Sequence, residues 1–298
     1  MSCINNFIRS IVYGAFNGLI IWKINHDIER NEETAFGEPF ISLTGHNHFI
    51  SDLSLSSDQN HLLSSSWDKS LRLWSLKTGK CVKRFSHPGQ KEILSTTFSP
   101  DGRQIFSSGS DNKLSLWNTK GDFIVSSDKN GHYDWVSKIR YSLSAKNKFY
   151  ASVGWDGQLK LWTEFFKLSV SIKAHDGPIY ALAISHNGYY IATGGKDQVV
   201  KLWKVGEFDR PIKEFKTDSN IVDLAFHPEM QWVAVATEKS FLLYEIVGEN
   251  EKAFATEKPI GKKSKLEVKP KFTSIAWSHT GKYLYTGASD SLIRVFQI

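Results

Sequence analysis

One pattern recurs along the chain and constrains its fold more than any other feature. A polar turn with an acidic residue leads into a short alternating apolar run that ends on an aromatic residue, as in SSSWDKSLRLW at residues 64–74. The closing aromatic residues lie 41 to 52 residues apart. They are Trp22, Trp74, Trp117, Trp162, Trp203, Tyr244 and Phe296. Repeats of this length that end on such a strand are typical of the blades of a β-propeller.

Each repeat also contains the signals of further strands. Residues 179–185, IYALAIS, alternate in polarity and turn through His186, Asn187 and Gly188 into another apolar run. SPDG at 99–102 and SHTG at 278–281 are similar turns. Short glycine turns between alternating runs indicate β-hairpins. We therefore predict an all-β fold, a single seven-bladed β-propeller over residues 1–298 whose blades end near the seven aromatic residues.

The first repeat is shorter than the others. Met1 lies 21 residues before Trp22, whereas the repeats with a leading histidine span 28 to 30 residues from that histidine to their Trp. We therefore expect the first blade to be incomplete at the N-terminus, with no earlier strand to complete the last blade. An uncovered sheet edge exposes unpaired backbone donors and acceptors.

Four repeats share a second spacing. A histidine lies 22 or 24 residues before the acidic residue, and a hydroxyl residue lies four before it. The sets are His46, Ser64, Asp68 and Trp74; His87, Ser107, Asp111 and Trp117; His132, Ser152, Asp156 and Trp162; and His175, Thr193, Asp197 and Trp203.

A histidine, a hydroxyl and a carboxylate together raise the possibility of a hydrolase triad. A hydrolase needs one exposed nucleophile, whereas this set occurs four times without a nucleophile-elbow sequence. We therefore interpret each set as a buried hydrogen-bond chain within one blade, running from Trp to hydroxyl to His to Asp, and we expect no enzyme activity. The last two repeats lack the histidine, and Ala234 replaces the hydroxyl in the sixth, so they should depend more on apolar packing.

Other chemical motifs are missing from the sequence. It has no phosphate-binding glycine loop and no His or Cys residues at zinc-ligand spacing, so we expect no catalytic residue, cofactor or metal. An inward polar cluster at the propeller axis, which a propeller enzyme would need, is also not evident. Cys3 and Cys81 are the only cysteines, which favours a reducing, cytoplasmic environment, and no apolar run reaches membrane-spanning length. The formal net charge of +6 fits either a solvated lysine-rich surface or a nucleic-acid contact.

The repeat sets and several longer stretches resemble the WD-repeat family. GHNHFISD at 45–52, SSSWDKSLRLWSL at 64–76, GHYDWVSKIRYS at 131–142 and the segment 272–298 are similar to its branch of receptors for activated C kinase. The resemblance extends over residues 7–298. It implies a non-enzymatic scaffold on the eukaryotic small (40S) ribosomal subunit, with rRNA and ribosomal proteins on one side and protein kinases and translation regulators on other faces. The alternative is a heterotrimeric G-protein β-like signalling subunit, or another WD-repeat adaptor off the ribosome.

Basic residues at expected blade edges are the candidate rRNA or ribosome contacts: Lys69, Lys83, Arg84 and Lys91. A second basic cluster precedes the last repeat and comprises Lys258, Lys262, Lys263, Lys265, Lys269 and Lys271. In the related family a basic turn of the first blade docks on rRNA. The matching stretch here, Ala15 to Gly18, has no basic residue, so that contact is not expected from this turn.

Overall fold

The computed structural model describes residues 3–6, 10–14, 18–24, 37–127, 130–144, 146–246 and 270–298. Within these ranges the chain forms β-strands joined by turns and contains no helix, so the all-β prediction is confirmed. In the same ranges, no helix has the length and apolar character needed to span a lipid bilayer.

The strands of the described ranges form seven antiparallel sheets, each built from strands consecutive in sequence. Sheet 1 contains β1 (Cys3–Asn6), β2 (Ser10–Gly14), β3 (Gly18–Ile24) and β4 (Gly37–Thr44). Sheet 2 contains β5 (Ile50–Leu55), β6 (His61–Ser66), β7 (Leu71–Ser75) and β8 (Lys80–Phe85). Sheet 3 contains β9 (Ile93–Phe98), β10 (Gln104–Gly109), β11 (Leu114–Asn118) and β12 (Phe123–Ser126).

The remaining sheets follow the same plan. Sheet 4 contains β13 (Lys138–Tyr141), β14 (Phe149–Val153), β15 (Gln158–Thr163) and β16 (Leu168–Lys173). Sheet 5 contains β17 (Ile179–Ile184), β18 (Tyr190–Gly195), β19 (Val199–Lys204) and β20 (Lys213–Lys216). Sheet 6 contains β21 (Ile221–Phe226), β22 (Trp232–Thr237) and β23 (Phe241–Glu245). Sheet 7 contains β24 (Phe272–Trp277), β25 (Tyr283–Ala288) and β26 (Ile293–Gln297).

The repeated acidic residue shapes the turn between the second and third strands of a sheet. In sheet 2, Asp68 Oδ1 accepts the backbone N–H of Ser70 at 3.0 Å, and Lys69 between them has a φ of 65°. A carboxylate that accepts an N–H two residues later stabilises such a turn. The same bond and positive φ recur after Asp111, Asp156, Asp197 and Asp290. The acidic residue of the motif is therefore explained first by local turn geometry.

The sheets follow one another around a central axis. The first strand of each sheet contacts the first strand of the next, in the order β1, β5, β9, β13, β17, β21 and β24, and β24 also contacts β1. Residues of β5, β9, β13, β17, β21 and β24 line a channel-like cavity of about 940 Å³. This is the arrangement of a β-propeller, which confirms that part of the prediction.

The hydrophobic core lies between neighbouring sheets rather than at one centre. Leu63 and Leu71 of sheet 2, for example, share a buried cluster with Phe98, Ile105 and Trp117 of sheet 3. Similar clusters join sheets 3 and 4, 4 and 5, 5 and 6, and 6 and 7. Each apolar layer therefore depends on two adjacent sheets.

The first sheet, which we expected to be incomplete, contains four strands, the first of them short. β1 pairs with β2 from Cys3↔Gly14 to Asn6↔Ile11, so sheet 1 has four strands. β1 has four residues, and three residues separate it from β2, so the short N-terminal stretch has room for this strand. Among the described residues, sheets 6 and 7 each contain three strands.

Candidate functional site

The first predicted set, in sheet 2, is joined completely by hydrogen bonds. His46 Nδ1 lies 2.8 Å from Asp68, and His46 Nε2 lies 2.7 Å from Ser64 Oγ. Trp74 Nε1 donates to the same Ser64 Oγ at 2.8 Å. A neutral imidazole with its proton on Nδ1 satisfies every member: it donates to the carboxylate and accepts the hydroxyl proton.

Two further sets have the same connections, in sheets 4 and 5. Nδ1 of the histidine lies 2.9 Å from Asp156 in the pair His132–Asp156 and 2.6 Å from Asp197 in the pair His175–Asp197. Nε2 lies 2.9 Å from the hydroxyl in His132–Ser152 and 2.8 Å in His175–Thr193. The indoles of Trp162 and Trp203 donate to those hydroxyls at 2.9 and 3.0 Å.

These three sets are closed to solvent. Their histidines are 4%, 6% and 1% exposed, and their hydroxyl residues are fully buried. Each hydroxyl already donates and accepts within its set, so none is a free nucleophile. The arrangement suits strand positioning and gives no access for a substrate.

The prediction for the set in sheet 3 is wrong for one member. Trp117 Nε1 still donates to Ser107 Oγ at 2.9 Å, but His87 is exposed and its ring centroid lies 4.2 Å from that of Phe123. The cause is local, because His87 is followed by Pro88 and Gly89. A turn closes there, with Gly89 at a φ of 83°, and it carries the histidine outward.

The presence or absence of the histidine changes the direction in which the pKa of the carboxylate is shifted. Burial alone would raise the pKa of Asp68, Asp156 and Asp197, but the hydrogen bond and charge of the histidine, together with the other hydrogen bonds to each carboxylate, outweigh burial and hold the pKa below its ordinary value. Asp111 has no histidine partner within the described part of the chain, and burial raises its pKa.

Sheets 6 and 7 replace the set with other contacts. Asp290 forms a bidentate ion pair with Arg294, and Glu238 accepts from Lys271 Nζ at 3.2 Å. In sheet 7 the hydroxyl of Thr286 is buried with no hydrogen-bond partner among the described residues, because Phe296 has no indole donor. Ala234 and Phe296 lie in one apolar cluster, in line with the expected dependence on packing.

A charged cluster that sequence reasoning missed lies on the channel wall. Asp52 of β5 accepts from Arg140 of β13 through both terminal nitrogens, at 2.6 and 3.0 Å, and from Lys138 Nζ at 3.2 Å. The Ser95 hydroxyl and the Thr96 N–H of β9 also donate to it. Burial favours a higher pKa for Asp52, but Arg140 and Lys138 outweigh burial and hold the pKa well below its usual range.

A second channel carboxylate, Asp223 of β21, has no such cation in hydrogen-bond contact among the residues that the structure describes. It accepts the backbone N–H groups of Leu224 and Ile275, each at 3.0 Å, and burial raises its pKa. The expectation that no polar cluster lines the axis is therefore wrong. The sequence feature that indicates this charged cluster is the pair Lys138 and Arg140, which share one face of a short strand. Among the described residues no group of three His, Cys, Asp or Glu side chains could hold a metal ion.

The candidate ribosome contacts are exposed but do not form one site. Lys69 lies in the turn after β6, and Lys91 lies just before β9. The pKa of Glu92 is lowered mainly by the hydrogen bond from Ser110, and the charges of Lys69 and Lys91 lower it further. Lys83 and Arg84 lie on the outermost strand of sheet 2.

The second basic cluster lies mostly outside the described residues. Lys258, Lys262, Lys263, Lys265 and Lys269 lie outside the described residues, as do residues 15–17 of the first-sheet turn. Lys271 is described and is paired with Glu238.

Comparison with known families agrees with the repeat structure. The family described as WD domain, G-beta repeat matches residues 37–75, 79–118, 121–163, 166–204 and 266–297. These segments cover more than half of the chain and contain the three completely bonded sets.

Curated relatives match along almost the whole chain. "Small ribosomal subunit protein RACK1" of Neurospora crassa is 38% identical over 285 residues, which covers 94% of this chain and 86% of that protein. The protein of the same name from Drosophila melanogaster is 36% identical over 281 residues, with the same coverage. "MST50-interacting protein 11" of Pyricularia oryzae is 38% identical over 286 residues, again covering 94% and 86%. With its repeats, its propeller sheets and these relatives, the chain belongs to the WD-repeat family and is similar to the proteins named RACK1.

Proposed function

We propose that this protein is a non-enzymatic scaffold bound to the small (40S) ribosomal subunit in the cytoplasm. The observation that carries the proposal is similarity along 94% of the chain to two relatives whose names place them in that subunit. The enclosed hydrogen-bonded sets support a scaffold rather than a hydrolase, since they offer no accessible nucleophile. Protein kinases and translation regulators are the expected partners of the faces turned away from the ribosome.

The proposed architecture is one closed ring of seven blades over residues 1–298. The cyclic contacts of the first strands, including the contact of β24 with β1, support this reading. The three closed sets would then act as internal supports, one per blade. Each hydrogen bond of such a set contributes on the order of 1 kcal/mol, whereas leaving a buried partner unpaired costs roughly 1–3 kcal/mol.

Lys69, Lys83, Arg84 and Lys91 are the proposed contacts with rRNA. All four are exposed, and they lie on sheet 2 or at its border with sheet 3. Contacts of this kind go mainly to phosphates and to RNA shape, so affinity should fall as salt rises. They would take the place of the basic first-sheet turn that this sequence lacks.

Sucrose-gradient sedimentation of lysate from cells that express the protein tests the proposal. We expect comigration with small subunits at low salt and release at high salt. The double variant Lys69→Glu/Lys91→Glu should move the protein toward the free fractions. Lys148→Glu is a charge-reversal control, because Lys148 is an exposed lysine just before β14 of sheet 4. Free protein at every salt concentration would contradict the proposal and favour an adaptor off the ribosome.

A further inference from the structure

Three aromatic side chains gather at one end of the central channel. The ring centroids of Trp135 and Trp155 are 4.6 Å apart, and those of Trp155 and Tyr180 are 6.2 Å apart. The backbone N–H of Trp155 donates to the carbonyl of Trp135 at 2.8 Å, which fixes the two segments together. All three residues line the channel cavity, and Trp155 remains 38% exposed.

The place of these residues in the strands explains why they meet. Trp135 precedes β13, Trp155 follows β14, and Tyr180 is the second residue of β17. The start of one strand and the end of its antiparallel neighbour lie at the same edge of a sheet. The aromatic side chains of sheets 4 and 5 therefore share one rim of the channel.

A carboxylate borders this aromatic group. Glu238 lines the same cavity from sheet 6, and it follows β22 as Trp155 follows β14, so both lie at the same end of their sheets. Burial raises the pKa of Tyr180, and the charge of Glu238 raises it further. Glu238 is held by Asn220 at 3.4 Å and by Lys271 at 3.2 Å. The Lys271 side chain is 68% exposed, and such a surface ion pair contributes little and exchanges easily.

The charge of the cavity wall favours a cation over an anion. Its lining contains three carboxylates, Asp52, Asp223 and Glu238, and two cations, Lys138 and Arg140. The two cations are partly exposed and both pair with Asp52. Glu238 is the charged group beside the aromatic rings. A phosphate at this rim would meet a carboxylate, whereas a cation would meet both a carboxylate and the negative faces of the rings.

We infer that the rim formed by Trp135, Trp155, Tyr180 and Glu238 binds an arginine side chain presented by an extended segment of a partner protein. The guanidinium stacks on the exposed face of Trp155 and pairs with Glu238 in place of Lys271. Arginine is preferred over lysine because its planar group combines stacking with two parallel hydrogen bonds to a carboxylate. The four residues of this rim are different from the four proposed ribosome contacts.

The test is titration of the isotope-labelled, full-length protein with short capped peptides, followed through the indole N–H signals in NMR spectra. The probe is Ala-Ala-Arg-Ala-Ala, and the comparison peptides carry Ala or Glu in place of Arg. We expect saturable shifts of the Trp155 indole, assigned with Trp155→Phe, and an affinity about tenfold higher for the Arg peptide than for either comparison peptide.

Variants separate the site from general surface effects. Glu238→Gln leaves the core untouched and should weaken binding of the Arg peptide by about fivefold, and Trp155→Ala should weaken it further. Phe165→Ala is the matched control, because Phe165 is 86% exposed in another part of sheet 4 and should have no effect. Equal binding of the three peptides, or unchanged binding by Glu238→Gln, would overturn the inference. A uridine oligonucleotide that shifts the same indoles at lower concentration would also overturn it and indicate base stacking.

Discussion

Arg140 on β13 donates from both terminal nitrogens to Asp52 on β5, at 2.6 and 3.0 Å, although their two sheets are not neighbours. The strand between them, β9, takes part through the Ser95 hydroxyl, which also donates to Asp52. One carboxylate thus holds three consecutive sheets together at the channel wall. The apolar layers join sheets only in pairs, so this contact adds a connection that packing does not supply.

We expect Asp52→Asn to lower the stability of the protein markedly. The variant keeps the shape of the side chain but leaves Arg140 and Lys138 close together without a full counter-charge. Removing one partner of a buried ion pair is strongly destabilising; because both cations are partly exposed, we expect a loss of about 2–3 kcal/mol. Urea unfolding at neutral pH measures it. Asp209→Asn, an exposed control, should change little, and an equal effect of the two variants would contradict the prediction.

The contribution of Asp52 should also depend on pH. Its pKa is lower in the folded protein than in the unfolded chain, so the ionised carboxylate stabilises the fold. This stability is present above the unfolded pKa of about 4 and is lost as pH falls below that value toward the folded pKa. The stability difference between the natural protein and Asp52→Asn should therefore shrink on acidification. A constant difference between neutral pH and pH of about 3 would show that the charge is not its source.

Two histidines at equivalent sequence positions should respond differently to substitution. His132→Ala leaves Ser152 and Asp156 without their shared partner inside sheet 4, and we expect a loss of about 2–4 kcal/mol. His87→Ala removes an exposed ring from the surface, and we expect a change within about 0.5 kcal/mol. Thermal unfolding of both variants checks this. Similar melting temperatures would mean that the hydrogen-bonded sets do not support the sheets.

Asp111→Asn should stabilise the protein at neutral pH, and Asp68→Asn should destabilise it. Burial raises the pKa of Asp111, so its ionised form is disfavoured in the fold, and stability falls as pH rises from about 4 through the raised pKa. An asparagine keeps the oxygen that accepts the Lys113 N–H without the charge. The pKa of Asp68 is lowered in the fold, so its ionised form stabilises the protein and Asp68→Asn should lower the free energy of unfolding. Urea unfolding at pH of about 7 compares the two variants, and changes of the same sign would contradict the argument.

Two buried threonines provide a matched comparison. Thr193 exchanges hydrogen bonds with His175 and Trp203, so Thr193→Val should cost about 1–3 kcal/mol. Thr286, its counterpart in sheet 7, has a buried hydroxyl without a hydrogen-bond partner among the described residues. Replacing that hydroxyl with a methyl group in Thr286→Val should be neutral or stabilising. Differential scanning calorimetry distinguishes the two. An equal loss for both would mean that the hydroxyl of Thr286 has a partner.

The local parts of the fold were predictable from sequence because their causes are local. The turn after Asp68 and the pairing of Trp74 with Ser64 depend on fixed short spacings, and these recur with little change. The position of His87 was not predictable from spacing alone, since it depends on the turn that Pro88 and Gly89 introduce.

The channel cluster was missed for a different reason. Asp52 and Arg140 are 88 residues apart, and they meet only because the first strands of three sheets lie side by side. Each residue by itself looks like an ordinary polar position in an alternating strand. The same holds for the aromatic rim, where Trp155 and Tyr180 come from different sheets. The two cations on one face of β13 are a local signal, but no short spacing indicates that they meet Asp52.

The division of the core into layers between pairs of sheets has a consequence for sequence change. A destabilising substitution in one apolar layer affects the packing of the two sheets that share that layer, because each layer is filled by its own cluster of side chains. The histidine missing from the interior of sheet 3 and the missing indoles of sheets 6 and 7 are tolerated for this reason. The chain can therefore accept substitutions that remove one hydrogen-bonded set at a time, while the ring of sheets and the surfaces that face other molecules are kept.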